Sequence, residues 1–225
     1  MRKPIITIDG PAGSGKSTLC RLLARALGLE CLDTGAMYRA VAWLVRDRNP
    51  DSLTGEALQA LLAPVAIEIR GSGEDQQVTV DGQDVSREIR NPEIAQWASN
   101  LSTRVEVRKI LTEKQRQQGR HGGLVAEGRD MGTVVFPEAE HKFYLEAALA
   151  VRAERRLLEL RRAGFPVDRD QVREDLARRD RQDSQRALAP LRPADGAEII
   201  DTSHLTIEAV LARMLSRIDP LRDDA

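Results

Sequence analysis

The stretch that constrains this chain most is Gly10 to Ser17, GPAGSGKS, a complete G-x4-G-K-S loop set between an apolar run, Pro4 to Asp9, and a helix-like segment, Thr18 to Leu27. A strand feeding a glycine-rich turn and then a helix aims successive backbone N–H groups and a helix N-terminus at one spot. There they wrap the phosphates of a nucleoside triphosphate. Gly10, Gly13 and Gly15 let the backbone curl close to the anion, and Pro11, Ala12, Ser14 and Thr18 complete the cradle. Lys16 is placed to reach the outer phosphates, and the Ser17 hydroxyl to ligand a magnesium ion carried in with the nucleotide. The alternative, a glycine-rich turn that binds nothing, is disfavoured because strand, loop and helix coincide.

Such a beginning needs a sheet to belong to, and short β-like runs recur at Ile5 to Asp9, Glu30 to Asp33, Leu124 to Glu127, Lys142 to Leu145 and Glu198 to Asp201, each followed by a helix-like stretch. The rhythm predicts an α/β fold, a P-loop three-layer sandwich with a central parallel five-stranded sheet. Ligands gather at the carboxyl ends of such strands, so Gly10 to Ser17, Thr34 to Arg39 and Gly128 to Asp130 take priority. At 225 residues the chain fits one domain with small inserts. A net charge of -1 supplies no basic field for nucleic acid or an anionic membrane, and 3% aromatics leave few platforms for stacking bases. No apolar run approaches the ~18 residues of a membrane span, and the N-terminus enters a strand without the apolar core of a signal peptide. A cytoplasmic monomer is therefore expected. Cys20 and Cys31 lack metal-ligand spacing and read as small buried residues, Trp43 and Trp97 as core, and His121, His141 and His204 as surface.

Between the second and third strands the rhythm breaks. Val65 to Val85 alternates, with a Gly-Ser-Gly turn and then Asp-Gly, and predicts a small antiparallel β insert. Helices are predicted at Pro92 to Asn100 and Arg104 to Gln118, the second opened by a capping box, Thr103-x-x-Glu106. With the insert they are expected to form a mobile wall over the sheet's edge. Val151 to Arg162 and Gln171 to Gln182, joined by Ala163 to Pro166, read as an arginine-rich helical hairpin, a short lid. Arg222 to Ala225 are expected to fray.

A second site is legible in Leu32 to Arg39, LDTGAMYR, where the Thr34 hydroxyl, free N–H groups and Arg39 converge. An arginine fork beside a hydroxyl suits a second phosphate. A helix N-cap next to a surface arginine is the other reading, and the loop at Gly10 to Ser17 favours the phosphate. Once Ala126 to Thr133, AEGRDMGT, is added, the chain resembles the bacterial cytidylate kinases, within the nucleoside monophosphate kinases. The likeness is carried by the phosphate loop, by TG-x-M-Y-R from Thr34, by EGRDMGTVVFP from Glu127 and by RRDRQDSQRALAPL from Arg178 to Leu191. It spans nearly the whole chain.

The resemblance implies transfer of the γ-phosphoryl group of ATP, with Mg2+, to CMP or dCMP. It divides the domain into a core of 1–33, 119–150 and 183–225, a monophosphate-binding region with the insert over 34–118, and a lid over 151–182. It places the acceptor's phosphate near Arg39 and Arg129, beside Thr34, and the cytosine among Ser99, Arg108 and Asp130; Ser99 alone also reads as a helix-face serine. A carboxylate takes the cytosine amine and an arginine gives to its ring acceptors. Arg179, Asp183 and Arg186 share a face at helical spacing, which a solvated salt-bridge row would also do. The resemblance assigns Arg179 and Asp183 to the ribose and Arg186 to the transferring phosphoryl group, giving Lys16, Arg129, Arg179 and Arg186 as the catalytic set. Glu127 stands where many relatives have aspartate and is expected to hold magnesium through water, while Arg152 and Arg156 either contact ATP or lie on a solvated helix face. Independently of the resemblance, phosphoryl transfer asks for charge neutralisation and positioning more than a covalent nucleophile, which suits a loop of this kind among many arginines. The rival readings are another small P-loop kinase, acting on a different acceptor, and a nucleotide-dependent switch; against the switch, no guanine-reading N-K-x-D occurs.

Overall fold

The computed structural model describes residues 3–46, 55–71 and 76–218. In chain order the first elements are β1 (Lys3–Asp9), α1 (Lys16–Leu27), β2 (Glu30–Asp33), α2 (Thr34–Val45), α3 (Gly55–Leu62), β3 (Ile67–Arg70), β4 (Gln77–Val80) and β5 (Gln83–Asp84). They are followed by α4 (Pro92–Leu101), α5 (Val105–Gln118), β6 (Gly122–Gly128), β7 (His141–Glu146), α6 (Leu149–Arg162), α7 (Arg169–Gln185), β8 (Glu198–Asp201) and α8 (Ile207–Ile218).

The five predicted core strands form one sheet in the order β2-β6-β1-β7-β8, every neighbouring pair parallel. Residues one apart on a strand point to opposite faces, so each strand feeds two cores. Ile5, Leu32, Leu124 and Ala126 face a layer built from α2, α4 and α5. Ile6, Ile8, Val125, Phe143, Leu145 and Ile200 face α1 and α8 through Leu19, Leu23, Val210 and Met214. Burial on both faces is why these strands read as nearly continuous apolar runs. Among the described residues no helix is long and apolar enough to cross a membrane.

The insert is a three-stranded antiparallel sheet, β3-β4-β5, in which Ile67 pairs with Val80 and Ile69 with Val78. Its predicted Gly-Ser-Gly turn falls partly, and the Arg222 to Ala225 tail wholly, outside the described residues. Val65, Val78, Val80, Val85 and Ile89 bury in the same core as α2, so the insert is fused to one layer of the sandwich. The helix α3 has no counterpart in the sequence reading, and its Leu58 and Leu62 join that core.

Three local expectations are corrected. The capping box does not form: Arg104 occupies the N-cap position, and the Thr103 N–H and hydroxyl both donate to the Asn100 carbonyl, closing the end of α4. Glu106 turns to Arg104 instead, at 3.6 Å. β6 is followed by a single wide π-helical turn, Met131–Val135, rather than an ordinary helix. His141 is half-buried in β7 with no partner for Nε2, and burial pushes its pKa below the usual histidine value. Trp43 and Trp97 pack against the core as expected.

The hairpin of α6 and α7 has its own small core, Ala153, Leu157, Leu160, Val172 and Leu176. Asp168 caps α7, accepting from the Asp170 and Gln171 N–H groups. The helix ends at Gln185, so Arg186 adopts extended backbone and is not a further residue of the same helical face. Its side chain nevertheless returns toward Asp183, at 3.7 Å.

Candidate active site

The loop between β1 and α1 is held by contacts that only its own residue types permit. A Cβ at Gly10 would stand 2.0 Å from the Leu145 carbonyl oxygen, so the root of the loop passes β7 at a distance open to glycine alone. Gly15 has φ of 94°, the left-handed conformation that turns the chain into α1. Lys16 folds back over the loop, donating to the Pro11 carbonyl at 2.6 Å and more weakly to Ser14 Oγ at 3.4 Å. Its ammonium is buried, and that burial, with Arg129 nearby, pulls its pKa down to about 7 against the attraction of Glu127 and Asp9. Ser14 Oγ bonds the Pro11 carbonyl, and its own carbonyl accepts from Thr202 Oγ1 beyond β8.

Ser17 Oγ donates to Glu127 Oε1 at 2.7 Å, joining the start of α1 to the end of β6. Burial and the neighbouring Asp33 push Glu127 up to about 7, opposed by Lys16, Ser17 and Arg129. A hydroxyl and a carboxylate side by side are hard oxygen donors that fit magnesium, which takes one or two protein oxygens and keeps water and phosphate for the rest. Among the described residues no cluster of three or more His, Cys, Asp or Glu forms a protein-only metal cage.

The two arginines of α6, Arg152 and Arg156, part ways. Arg152 is buried and donates to the Ala147 and Ala12 carbonyls and, through both Nη atoms, to Asp180. It ties the phosphate loop to α7, with Nε and both Nη atoms already donating within the protein. Arg156 pairs with Glu159 on its own helix at 2.6 Å.

On the other side of the strand ends, Leu32 to Arg39 forms the helix N-cap that was the other reading of this stretch, with Arg39 held beside it. Asp33 caps α2, accepting the Ala36 N–H at 2.9 Å, and also pairs with Arg39 at 3.1 Å. Thr34 is buried and donates its hydroxyl to the Glu127 carbonyl at 2.7 Å, tying α2 to β6. Its one proton is thereby used, so while that bond stands Thr34 anchors the site and does not donate to a phosphate.

Ser99, Arg108, Arg129, Asp130, Arg179, Asp183 and Arg186 come together from α4, α5, the end of β6 and α7. Arg108 Nη2 pairs with Asp130, both buried, and Arg108 Nη1 donates to the Ser102 carbonyl. Arg186 Nη2 lies 3.6 Å from the other oxygen of Asp130 and makes no hydrogen bond of its own. Asp183 accepts from Arg129 Nε at 2.8 Å. Ser99 accepts from Gln182 through both its carbonyl and its Oγ, and Arg179 donates weakly to the Ala95 carbonyl at 3.4 Å. Burial raises the Asp130 pKa despite three arginines around it, whereas for Asp183 burial is overcome by Arg129, Arg186 and Arg179 together and its pKa falls. Burial and the Arg129 charge bring Arg179 down to about 10, still a cation at neutral pH.

The sequence reading missed Asp9. Its carboxylate accepts from the Met131 N–H at 2.9 Å and the Gly132 N–H at 2.8 Å, so the root of the phosphate loop holds the turn that presents Arg129 and Asp130. An acid closing an apolar strand directly before the loop was the available signal. Asp180 and Gln182 were also missed; both lie between assigned residues on α7, and their partners are far away in sequence.

The cytidylate kinase family model matches residues 6–220. A bifunctional pantoate ligase/cytidylate kinase of Synechococcus elongatus is 48% identical over 219 residues, which cover 95% of this chain and 42% of that protein. A cytidylate kinase of Pseudomonas syringae pv. tomato is 44% identical over 227 residues, covering 100% of this chain and 99% of its own. Another from Pseudomonas savastanoi pv. phaseolicola is 44% identical over 220 residues, covering 97% and 96%. The chain thus spans less than half of the bifunctional relative and nearly all of the two Pseudomonas proteins.

Proposed function

The chain belongs to the cytidylate kinase family, and from that premise we propose that it transfers the γ-phosphoryl group of ATP to CMP or dCMP, giving ADP and CDP or dCDP. The observation that carries the reading is the buried row Arg108, Asp130, Arg186, Asp183 and Arg129, set at the strand ends beside Lys16 and Ser17. A phosphate loop alone fits many acceptors; this row supplies a carboxylate and a guanidinium side by side, the pair that cytosine's amine and ring acceptors require.

In this reading the loop from Gly10 to Thr18 holds the ATP phosphates and Lys16 neutralises charge on the outer ones. Ser17 and Glu127 hold magnesium, Glu127 through water, and the ion supplies further neutralisation of the phosphate oxygens when bound. Arg39 and Arg129 grip the acceptor's phosphate. Asp130 and Arg108 read the base with Ser99 alongside, Asp183 and Arg179 take the ribose, and Arg186 bridges acceptor and transferring group. An α-phosphate oxygen of the monophosphate attacks the γ-phosphorus as the bond to the β-bridging oxygen breaks. That nucleophile is already ionised, so no general base is required.

The lid, residues 151–182, excludes water that would otherwise compete for the phosphoryl group. Residues 34–118 are the monophosphate-binding region, and 1–33, 119–150 and 183–225 the core. A role in pyrimidine nucleotide metabolism follows from this activity, and we infer a cytoplasmic monomer beside it. The test is ADP production from Mg-ATP against CMP, dCMP, UMP, AMP, GMP and shikimate, with a control lacking acceptor. Turnover on CMP and dCMP far above the rest is expected. Turnover confined to another acceptor would discard the base-reading assignment, and none above the control would discard the kinase.

A further inference from the structure

Cys20 and Cys31 are more than two small buried residues. Cys20 lies on α1, one turn past Lys16, and Cys31 on β2, two residues before Asp33. Their sulfurs are 2.8 Å apart. The other polar neighbour of Cys20 Sγ is the Val125 carbonyl at 3.2 Å. A disulfide needs about 2.0 Å between sulfurs, so a movement of less than ~1 Å closes one.

We propose that Cys20 and Cys31 are a two-electron oxidation site for peroxides, closing an intrachain disulfide that staples the phosphate-loop helix to β2. The two thiols differ in access. Cys20 is fully buried, and burial together with Cys31 pushes its thiol pKa up, while Cys31 is half-buried and is the more exposed residue of the two, the one the proposal has an oxidant meet first. The Cys31 thiolate attacks one oxygen of hydrogen peroxide; an S–O bond forms, the O–O bond breaks, and the departing hydroxide takes a proton to become water. Cys20 then gives up its proton and attacks the Cys31 sulfur. The S–S bond forms, the S–O bond breaks, and the hydroxyl leaves with that proton as a second water. Two thiols and one peroxide give one disulfide and two waters. Where thiols are kept reduced the bond is transient, formed on exposure to peroxide and reopened by a dithiol.

The bond joins the roots of the two phosphate-binding elements, Lys16–Ser17 and Asp33–Arg39, and its formation is read chemically. It stands or falls independently of the proposed kinase activity. The experiment uses the full, reduced chain, treated with hydrogen peroxide, quenched, denatured, alkylated with N-ethylmaleimide and digested with trypsin. Expected are loss of both alkylatable thiols, an intact mass lower by two hydrogens, and a dithiothreitol-reversible link between peptides Ser17–Arg21 and Ala26–Arg39. Cys31→Ser is expected to leave Cys20 unoxidised at the same dose, and Cys20→Ser to leave a sulfenic acid on Cys31 that dimedone traps. Two thiols still alkylated after peroxide, added oxygen on Cys31 beside a free Cys20, or a bridge between chains would each overturn the proposal.

Discussion

Replacing Asp9 with alanine removes the acceptor of two buried N–H groups, those of Met131 and Gly132. An unsatisfied buried donor costs about 1–3 kcal/mol, so the gross loss is about 2–6 kcal/mol. Against this stands the burial of the carboxylate itself. Burial raises the Asp9 pKa from 3.8 to about 6 even though both N–H bonds pull it down. At about 1.4 kcal/mol per pH unit, the native state above pH 6 carries a penalty of about 3 kcal/mol for holding that charge. Between the two values the folded chain keeps a proton that the unfolded chain has lost. The stabilisation is therefore full below 3.8 and is lost as pH rises through about 6. The alanine variant has no such group, so its stability deficit is expected to be largest near the acid end of that window and to shrink by about 3 kcal/mol above it. Urea unfolding of both proteins at several values across the window measures the difference, in which groups titrating alike in the two chains cancel. A deficit that is constant with pH, or that grows as pH rises, would refute the reasoning. The same variant frees the turn carrying Asp130, so the KM for the acceptor is expected to rise more than that for ATP.

Lys16→Ala is expected to lower kcat by about 10²–10³-fold while the chain still unfolds in one cooperative urea transition, since it removes charge stabilisation at the transferring group; near-normal kcat would contradict its role. Thr34→Val keeps the side chain's shape and loses its bond to the Glu127 carbonyl, so stability is expected to fall by about 1–3 kcal/mol while the acceptor KM stays put. A steep KM increase would show the hydroxyl turning to the substrate. Asp130→Ala is expected to lower the ratio of CMP to UMP turnover, and a ratio equal to the wild type's would remove Asp130 from base reading. Gly10→Ala drives a Cβ into the Leu145 carbonyl, whereas Gly164→Ala, also at positive φ, meets nothing within 4 Å. Soluble yield and melting temperature are expected to fall far more for the first, and equal losses would mean that φ alone, not the close approach, decides.

What was legible in the sequence was what local pattern encodes. The core strands, the phosphate loop and the lid hairpin announce themselves because a buried parallel strand and an amphipathic helix each leave a periodic trace within a dozen residues. The alternation of Ile67 to Arg70 against Gln77 to Val80 did the same for the insert. The capping box was misread because the Thr103 N–H that Glu106 would have accepted was already spent on closing α4, a competition no four-residue pattern reveals. Asp9 was passed over because its partners lie 122 and 123 residues away. The thiol pair was missed for a related reason: Cys31 stands eleven positions after Cys20 by way of a helix end and a turn, and only the packing of α1 on the sheet brings them face to face.

The row from Arg108 through Asp130, Arg186 and Asp183 to Arg129 sets two carboxylates among three guanidiniums, so that each carboxylate is already engaged. Binding at such a row is an exchange of partners. In the proposed function a cytosine amine would take the place of a guanidinium at Asp130, and a phosphate would draw Arg129 from Asp183. An exchange of partners gains less in affinity than a contact made afresh, because each bond formed replaces one that is broken. Its discrimination is steep all the same: a ligand that separates Arg108 from Asp130 without satisfying both leaves a buried charge with no partner, a loss far larger than anything the correct ligand gains. The row therefore favours loose grip with sharp refusal, which suits a protein that must release its product as readily as it accepts its substrate.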